Sequence, residues 1–157
     1  MRLFTISLLL VGIFLAACAT SEKEIAQMKY KCEEQGIINS FGITLSFPNV
    51  EKIKKIKINR IKDGTVIETF EAYPEHSFVS IDKDFYTHDT YEFIIDGEKP
   101  FILNNVKTKL NFHCPMFLGE CKVDCGIKEG KMNGKLFGPT DGGIRLQKEG
   151  YKEVWEK

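Results

Sequence analysis

Histidine and carboxylate side chains come close together in the sequence at one point. Asp84, His88 and Asp89 lie within six residues, and carboxylates beside an imidazole can hold a metal ion or transfer protons. The other two histidines, His76 and His113, are far from this group along the chain. Histidines in polar loops are mostly solvated side chains, so we expect no catalytic residue. A metal site at the first group is the alternative.

Two motifs of common enzyme classes are missing or incomplete. The chain has no G-x-S-x-G sequence, which surrounds the nucleophilic serine of many hydrolases. Gly126 to Lys131 looks like a phosphate-binding loop. However, three residues rather than four separate Gly126 from Gly130, and neither Ser nor Thr follows Lys131. We therefore expect a protein that is not an enzyme and that uses no cofactor.

The N-terminus has the composition of an export signal. Arg2 supplies a positive charge, and residues 3–17 contain no charged side chain. This apolar run is shorter than the roughly 20 residues that a membrane-spanning helix needs, and it ends in small residues, as export signals do. Leu15-Ala16-Ala17-Cys18 resembles the lipobox of bacterial lipoproteins. Residues 1–17 are therefore predicted to be a signal peptide.

The lipobox resemblance implies that Cys18 carries a lipid. In that family the cysteine thiol takes a diacylglyceryl group, a peptidase cuts before the cysteine, and the freed amine is often acylated. Two or three acyl chains anchor a protein stably to a membrane. Ala19 stands where lipoproteins of the inner membrane of enteric bacteria carry Asp, so the resemblance implies the outer membrane of a bacterial envelope. We expect a lipidated tether over residues 18–31 and one domain over residues 32–157.

Four cysteines remain once Cys18 is lipidated, and an even number of cysteines in an exported domain predicts two disulfides. These are Cys32, Cys114, Cys121 and Cys125. The alternative is a metal site built from His113 and the last three cysteines. Their C-x6-C-x3-C spacing differs from the paired C-x2-C of structural zinc sites, so we expect no bound metal.

The strand pattern constrains how these cysteines pair. In an extended segment the Cα atoms of Cys121 and Cys125 are about 13 Å apart, whereas a disulfide needs them within about 7 Å. If residues 115–120 form a hairpin loop, Cys114 faces Cys121. Cys32 is then left to pair with Cys125. A helical segment would instead place Cys121 and Cys125 one turn apart and remove this constraint.

Alternating apolar and polar residues predict a chain of short strands. Asp63-Gly64 between two such segments predicts a tight hairpin turn. Short, frequent strands without a long helical period predict an all-β fold. We expect a small antiparallel β-sandwich with two disulfides, either immunoglobulin-like or transthyretin-like. The predicted strands cover residues 41–47, 56–58, 65–70, 78–81, 91–95, 106–114, 134–137 and 144–147.

One short motif adds to the sandwich prediction. Asp89-Thr90-Tyr91 resembles the tyrosine corner of immunoglobulin-like sandwiches, in which a strand tyrosine bonds back to the backbone. The alternative is a strand tyrosine that only fills the core. Small transthyretin-like lipoproteins of secretion machines are similar in the expected architecture alone, and a shared fold does not imply a shared function.

The charge of the chain is balanced. It has 22 basic and 22 acidic residues, and removing Arg2 with the signal leaves a net charge near −1. A nucleic-acid partner is not expected, because such binding needs a clustered excess of cations. One basic run alternates with isoleucine, which predicts lysines on the solvated edge of a hairpin; an anion-binding patch is the alternative. The run comprises Lys52, Lys54, Lys55, Lys57, Arg60 and Lys62.

Three functions remain open from the sequence. A neutral sandwich without reactive groups favours a non-catalytic binding or assembly module, held to the membrane by its lipid and partnered by an envelope protein. The second is an inhibitor of a hydrolase such as lysozyme. Tyr30-Lys31-Cys32 resembles the early Tyr-x-Cys strand of periplasmic lysozyme-inhibitor lipoproteins, although their S-G-x-x-Y loop is missing. The third is a metal-binding protein or an enzyme.

Overall fold

The computed structural model describes residues 22–113, 122–140 and 143–150. It begins with helix α1 (Glu22–Lys29), which continues into a π-helical turn (Tyr30–Glu34). Acidic residues in the first turn of α1 and Lys29 in its last turn suit the helix dipole. The predicted tether is therefore helical from Glu22 onward. The expectation of a strand at Tyr30–Cys32 is wrong, because Lys31, Glu33 and Glu34, which are good helix formers, extend the helical backbone past Lys29.

The described part of the chain contains eleven strands, and each strand predicted from the sequence has a counterpart among them. One strand is described only as far as residue 113 and another only from residue 143, because residues 114, 141 and 142 lie outside the described ranges. The strands are β1 (Ile37–Ile38), β2 (Phe41–Ser46), β3 (Ile56–Lys62), β4 (Thr65–Ala72), β5 (Phe78–Ile81), β6 (Phe85–Tyr86), β7 (Thr90–Ile94), β8 (Phe101–His113), β9 (Lys122–Met132), β10 (Lys135–Phe137) and β11 (Gly143–Gln147).

The strands form a six-stranded, a three-stranded and a two-stranded sheet. The largest is antiparallel throughout, in the order β10-β9-β8-β7-β3-β4. The second has the order β11-β2-β5, and β1 pairs with β6. The mostly β, antiparallel prediction is confirmed with one exception, because β11 runs parallel to β2.

Two pairs of consecutive predicted strands do not pair with each other in the described sheets. The segments that became β5 and β7 follow each other in the chain, yet β5 pairs with β2, and β7 lies between β3 and β8. Likewise β10 and β11, which a glycine-rich turn separates, belong to different sheets. The connections between them therefore cross from one sheet to the other.

Two hairpins have the backbone that their turn sequences require. Asp63 and Gly64 join β3 to β4 with φ values of 50° and 78°. Asn133 and Gly134 join β9 to β10 in the same way, with φ values of 50° and 79°. Two residues of positive φ match the twist of the flanking strands, so the predicted Asp63-Gly64 turn is confirmed.

The two larger sheets share one hydrophobic core. Alternate residues of β2, such as Ile43 and Leu45, belong to the same buried cluster as Ile58 of β3 and Phe93 of β7. An aromatic stack spans the sheets: Phe41 lies 4.5 Å from Phe85, and Phe85 lies 4.0 Å from Tyr91, between ring centroids. Burial of these side chains is the main stabilising contribution to the fold.

Several predictions fall outside the described residues. These are the signal peptide, the lipidated Cys18 and the Cys114–Cys121 disulfide. No helix within the described ranges is long and apolar enough to cross a membrane.

Candidate functional site

Strand β4 forms one edge of the six-stranded sheet. It pairs with β3 on one side, and it has no strand on the other side among the described residues. Two hydrogen bonds between side chains connect β4 to the strands beside it. Thr69 Oγ1 donates to Asn59 Oδ1 at 2.9 Å, and Asn59 Nδ2 donates to Glu92 Oε2 at 2.7 Å. An edge strand presents free backbone N–H and C=O groups to another chain. β4 is therefore a rigid strand with one open side.

A β-bulge displaces residues at the start of β4. Ile61 of β3 pairs with Val66, and Arg60 pairs with Glu68, so Ile67 has no residue opposite it. A bulge of this kind redirects side chains and increases local twist. Val66 and Ile67 are both about half exposed as a result. The start of the edge strand therefore carries two adjacent apolar side chains in contact with solvent.

Two exposed aromatic residues extend this surface beyond the end of β4. Tyr73 has 66% of its surface exposed, and Phe78 at the start of β5 has 49%. Paired backbone hydrogen bonds between Glu75 and Phe78, of 2.8 and 3.1 Å, bring the chain from one edge to the other. We call Val66, Ile67, Tyr73 and Phe78 the edge surface. Exposed apolar side chains can serve as contacts for a partner.

Charged residues beside the edge surface are already paired. Lys55 Nζ lies 2.5 Å from Glu71 Oε1, and the Tyr73 hydroxyl donates to Glu71 Oε2 at 3.0 Å. Hydrogen bonds from Lys55 and Tyr73 lower the pKa of the Glu71 carboxyl. Lys83 similarly lies 2.6 Å from Glu68. These pairs orient the side chains of β4 and leave its apolar residues as the surface available for contact.

The acid–histidine group predicted as an alternative metal site has another structural role. Asp89 is buried, and its carboxylate accepts a hydrogen bond from Arg60 Nε at 2.6 Å. The Arg60 guanidinium also lies 3.8 Å from the centroid of the Tyr86 ring. His88 is exposed. No group of three potential metal ligands occurs in the described ranges.

Arg60 was expected on a solvated hairpin edge together with the other basic residues. That expectation is wrong for this residue, because Arg60 lies on the same face of β3 as the buried Ile56 and Ile58. The Arg60 side chain is only 18% exposed and packs in the cluster around Asp89. Its neighbours Lys57 and Lys62 are exposed, as the alternation predicted.

The N-terminal segment covers a second open edge. β7 pairs with β8 only from Phe101 to Leu103, so the rest of β8 has β9 on one side alone among the described strands. There Thr108 Oγ1 donates to the carbonyl of Cys32, and the Leu110 N–H donates to Glu33 Oε1 at 3.4 Å. The helical turn thus closes an edge that would otherwise be free.

A disulfide fixes this covering segment. Cys32 is bonded to Cys125 of β9 across a Cα–Cα distance of 5.5 Å, which confirms the predicted pairing. Beside the bond lies a cavity of about 350 Å³, with Met28, Ile38 and Val123 in its wall. Cysteine alternation was the sequence signal that located this contact.

The remaining histidines are separate from each other in the fold. His76 occupies an exposed turn with φ of 61°. His113 is exposed at the end of β8, where Nε2 lies 3.4 Å from Asp124 Oδ1. The predicted metal ligand Cys125 is in the disulfide, and Cys114 and Cys121 lie outside the described residues. The structure brings none of the three histidines together.

No protein-family model, curated protein or solved structure matches this chain. Its function therefore has to be inferred from the sequence and from the geometry above. The edge surface is the feature that sequence analysis missed. A signal for it was present, because Val66 and Ile67 are adjacent and alternation allows only one of two neighbours to face the core.

Proposed function

We propose that this protein is a lipoprotein of the bacterial cell envelope that acts as a non-catalytic binding or assembly module. Its lipid on Cys18 holds it to the outer membrane, and an envelope protein pairs with strand β4. The observation that carries the proposal is the edge surface on an open strand. Backbone groups of such a strand give affinity to an extended partner segment, and exposed apolar side chains add specificity.

The position of the open edge relative to the N-terminus supports this function. The disulfide holds the N-terminal segment against β9, and β4 lies four strands away in the same sheet. At about 4.8 Å between neighbouring strands, the two are roughly 19 Å apart. An anchor attached through the N-terminus would therefore leave β4 open to a partner.

The sandwich class is part of the same proposal. Two sheets with a common core suit an immunoglobulin-like arrangement. The hydroxyl of Tyr91 accepts a hydrogen bond from the N–H of Tyr86, five residues upstream, at 2.9 Å. This bond resembles the tyrosine corner of those domains and favours them over the transthyretin-like alternative.

Photo-crosslinking in intact envelopes tests the proposed edge. A benzoylphenylalanine replacing Ile67 is expected to form a discrete adduct with another envelope protein, and Val66→Lys is expected to weaken that adduct. Leu136 is the matched control position, because it is 70% exposed on β10, at the opposite edge of the sheet. Equal adducts from both positions, or none from position 67, would contradict a partner on β4.

A further inference from the structure

Residues 22–35, which we call the covering segment, contribute very little to the hydrophobic core. Helix α1 has no buried residue, and the turn Tyr30–Glu34 buries Cys32 alone. In the described part of the chain, the buried core cluster includes no side chain of this segment. Because burial of apolar surface is the main force that holds an element to a domain, the covering segment needs another attachment.

Hydrogen bonds to β8 give this segment only a modest attachment. Thr108 Oγ1 donates to the Cys32 carbonyl, and the Leu110 N–H donates to Glu33 Oε1 at 3.4 Å. The second bond is long, and it lies at an exposed position. Water replaces such bonds when they break, so each contributes little net free energy. These contacts orient the covering segment on β8 more than they hold it there.

The packing between the covering segment and the sheet is incomplete. The cavity of about 350 Å³ has Met28 of α1 in its wall, together with Leu110 of β8 and Val123 of β9. Side chains that face a cavity lack neighbouring atoms there and lose the dispersion attraction that close packing gives. Cys32 and Cys125 line the same cavity. The disulfide is therefore the strongest link between the covering segment and the sheet.

We propose that the Cys32–Cys125 disulfide is a redox switch that determines whether the covering segment stays on β8. In the oxidised protein the bond holds the segment against β9. After reduction the segment separates from the sheet up to Gly36, whose carbonyl still accepts the Thr87 N–H at 2.9 Å. A helix as short as α1 is unstable in water on its own, so the released segment unfolds.

The switch operates by thiol–disulfide exchange with a dithiol reductant. One thiolate of the reductant attacks the Cys125 sulfur, because Cys125 is half-buried whereas Cys32 is only 2% exposed. The Cys32–Cys125 bond breaks, and Cys32 leaves as a thiolate that takes up a proton. The second thiolate then attacks the reductant's own sulfur in the mixed disulfide, and Cys125 leaves and is protonated. The protein gains two electrons and two protons, and the reductant becomes a disulfide.

Release of the covering segment opens a second edge of the sheet. The backbone N–H and C=O groups of β8 around Thr108 and Leu110 are then exposed to another chain. The switch depends neither on the lipid anchor nor on a partner at β4.

Limited proteolysis with trypsin tests the switch. The full chain carries Cys114→Ser with Cys121→Ser, so that the bond to Cys32 is the disulfide under test. Trypsin cleaves after lysine, and Lys29 and Lys31 lie in the covering segment. Reduction with dithiothreitol should accelerate cleavage after both lysines by at least about tenfold, because cleavage follows the population of the open form.

Two lysines of β9, Lys128 and Lys131, give an internal control in the same digest. Cleavage after them should stay slow in the reduced protein, because the sheet remains folded. Fast cleavage there would show that reduction unfolds the whole domain. Slow cleavage after Lys31 in the reduced protein would show that packing holds the covering segment. Either result would overturn the switch.

Two variants separate the disulfide from the hydrogen bonds. Cys32→Ser with Cys125→Ser in the same chain should be cleaved rapidly in the covering segment without reductant, and dithiothreitol should not change that rate. Thr108→Val removes one hydrogen bond and keeps the disulfide, so the oxidised protein should stay resistant. Rapid cleavage of oxidised Thr108→Val would contradict the role given to the disulfide.

Discussion

Tyr91 has two structural roles, one for its ring and one for its hydroxyl. Its ring stacks on Phe85 in the core, with centroids 4.0 Å apart, and its hydroxyl accepts the Tyr86 N–H. The hydrogen bond resembles the one expected of a tyrosine corner, and the buried ring is at the same time part of the core. Burial is also the main reason why the pKa of the Tyr91 phenol is raised to about 12.

Tyr91→Phe is predicted to lower the free energy of unfolding by about 1 to 3 kcal/mol, because the Tyr86 N–H loses its partner in a partly buried site. Urea unfolding measures this change. Tyr73→Phe is the control, since the Tyr73 hydroxyl also makes one hydrogen bond but at an exposed position. Its effect should stay within about 0.5 kcal/mol. Equal effects of both changes would argue against a structural role for the Tyr91 hydroxyl.

The same tyrosine predicts a loss of stability in alkali. Its folded pKa of about 12 is above the usual value of 10.0, so the unfolded chain loses the phenolic proton first. The stabilisation is complete below pH 10 and is lost as pH rises toward 12, by about 2 to 3 kcal/mol. Unfolding measured at pH 9 and pH 12 should show a smaller decrease for Tyr91→Phe than for the wild type.

At the scale of elements, the disulfide determines where the N-terminal helical segment lies. Cys32 and Cys125 are 93 residues apart in the chain, and their bond holds the turn Tyr30–Glu34 over β8. The sequence contained a sign of this helical segment. Gly36 follows it with φ of 64°, and glycine in this conformation commonly ends a helix. A side chain there would collide with Thr87 Oγ1, only 2.2 Å from an added Cβ.

Removing this disulfide should cost more stability than removing the predicted second one. By loop-closure entropy, a bond that closes 93 residues contributes about 4 to 5 kcal/mol, against roughly 2 to 3 for the short Cys114–Cys121 loop. The comparison uses Cys32→Ser with Cys125→Ser and Cys114→Ser with Cys121→Ser, so that no free thiol remains. Urea unfolding gives both values.

Non-reducing peptide mapping establishes the second pair itself. The last described pair of the β8–β9 ladder is His113 with Lys122, which stand next to Cys114 and Cys121 in the chain. A Cys114–Cys121 peptide is therefore expected. A Cys121–Cys125 peptide would contradict both the strand prediction and the observed Cys32–Cys125 bond.

For the whole molecule, the two ends of the six-stranded sheet have different proposed roles. The N-terminal segment that leads back to Cys18 is bonded to β9, next to the β10 end of the sheet, and the edge surface lies at the β4 end. Cys18→Ser is predicted to abolish metabolic labelling with palmitate and to leave the protein uncleaved or soluble. Cys32→Ser is the control and should keep its label. Palmitate retained in the Cys18 variant would contradict the lipid anchor.

The sequence by itself located eight of the eleven described strands and, for most of their residues, the face that is buried. Alternation located β2, β3, β7 and β8, and Asp63-Gly64 located the β3–β4 turn. The same alternation led to the Cys32–Cys125 pairing, since a face assignment is enough to exclude a bond between residues four apart in a strand.

The tertiary structure alone decided which strands are neighbours. A period-two pattern predicts which face of a strand is buried, but it does not predict which strand lies beside it. The parallel β11–β2 pairing and the open edge at β4 therefore could not be predicted from local sequence. The ion pair between Arg60 and Asp89 could not be predicted from the sequence either. These two residues are 29 residues apart in the chain, and they come into contact only after β3 and β7 pair. These features depend on how distant segments bury one common core, and that is settled by long-range contacts.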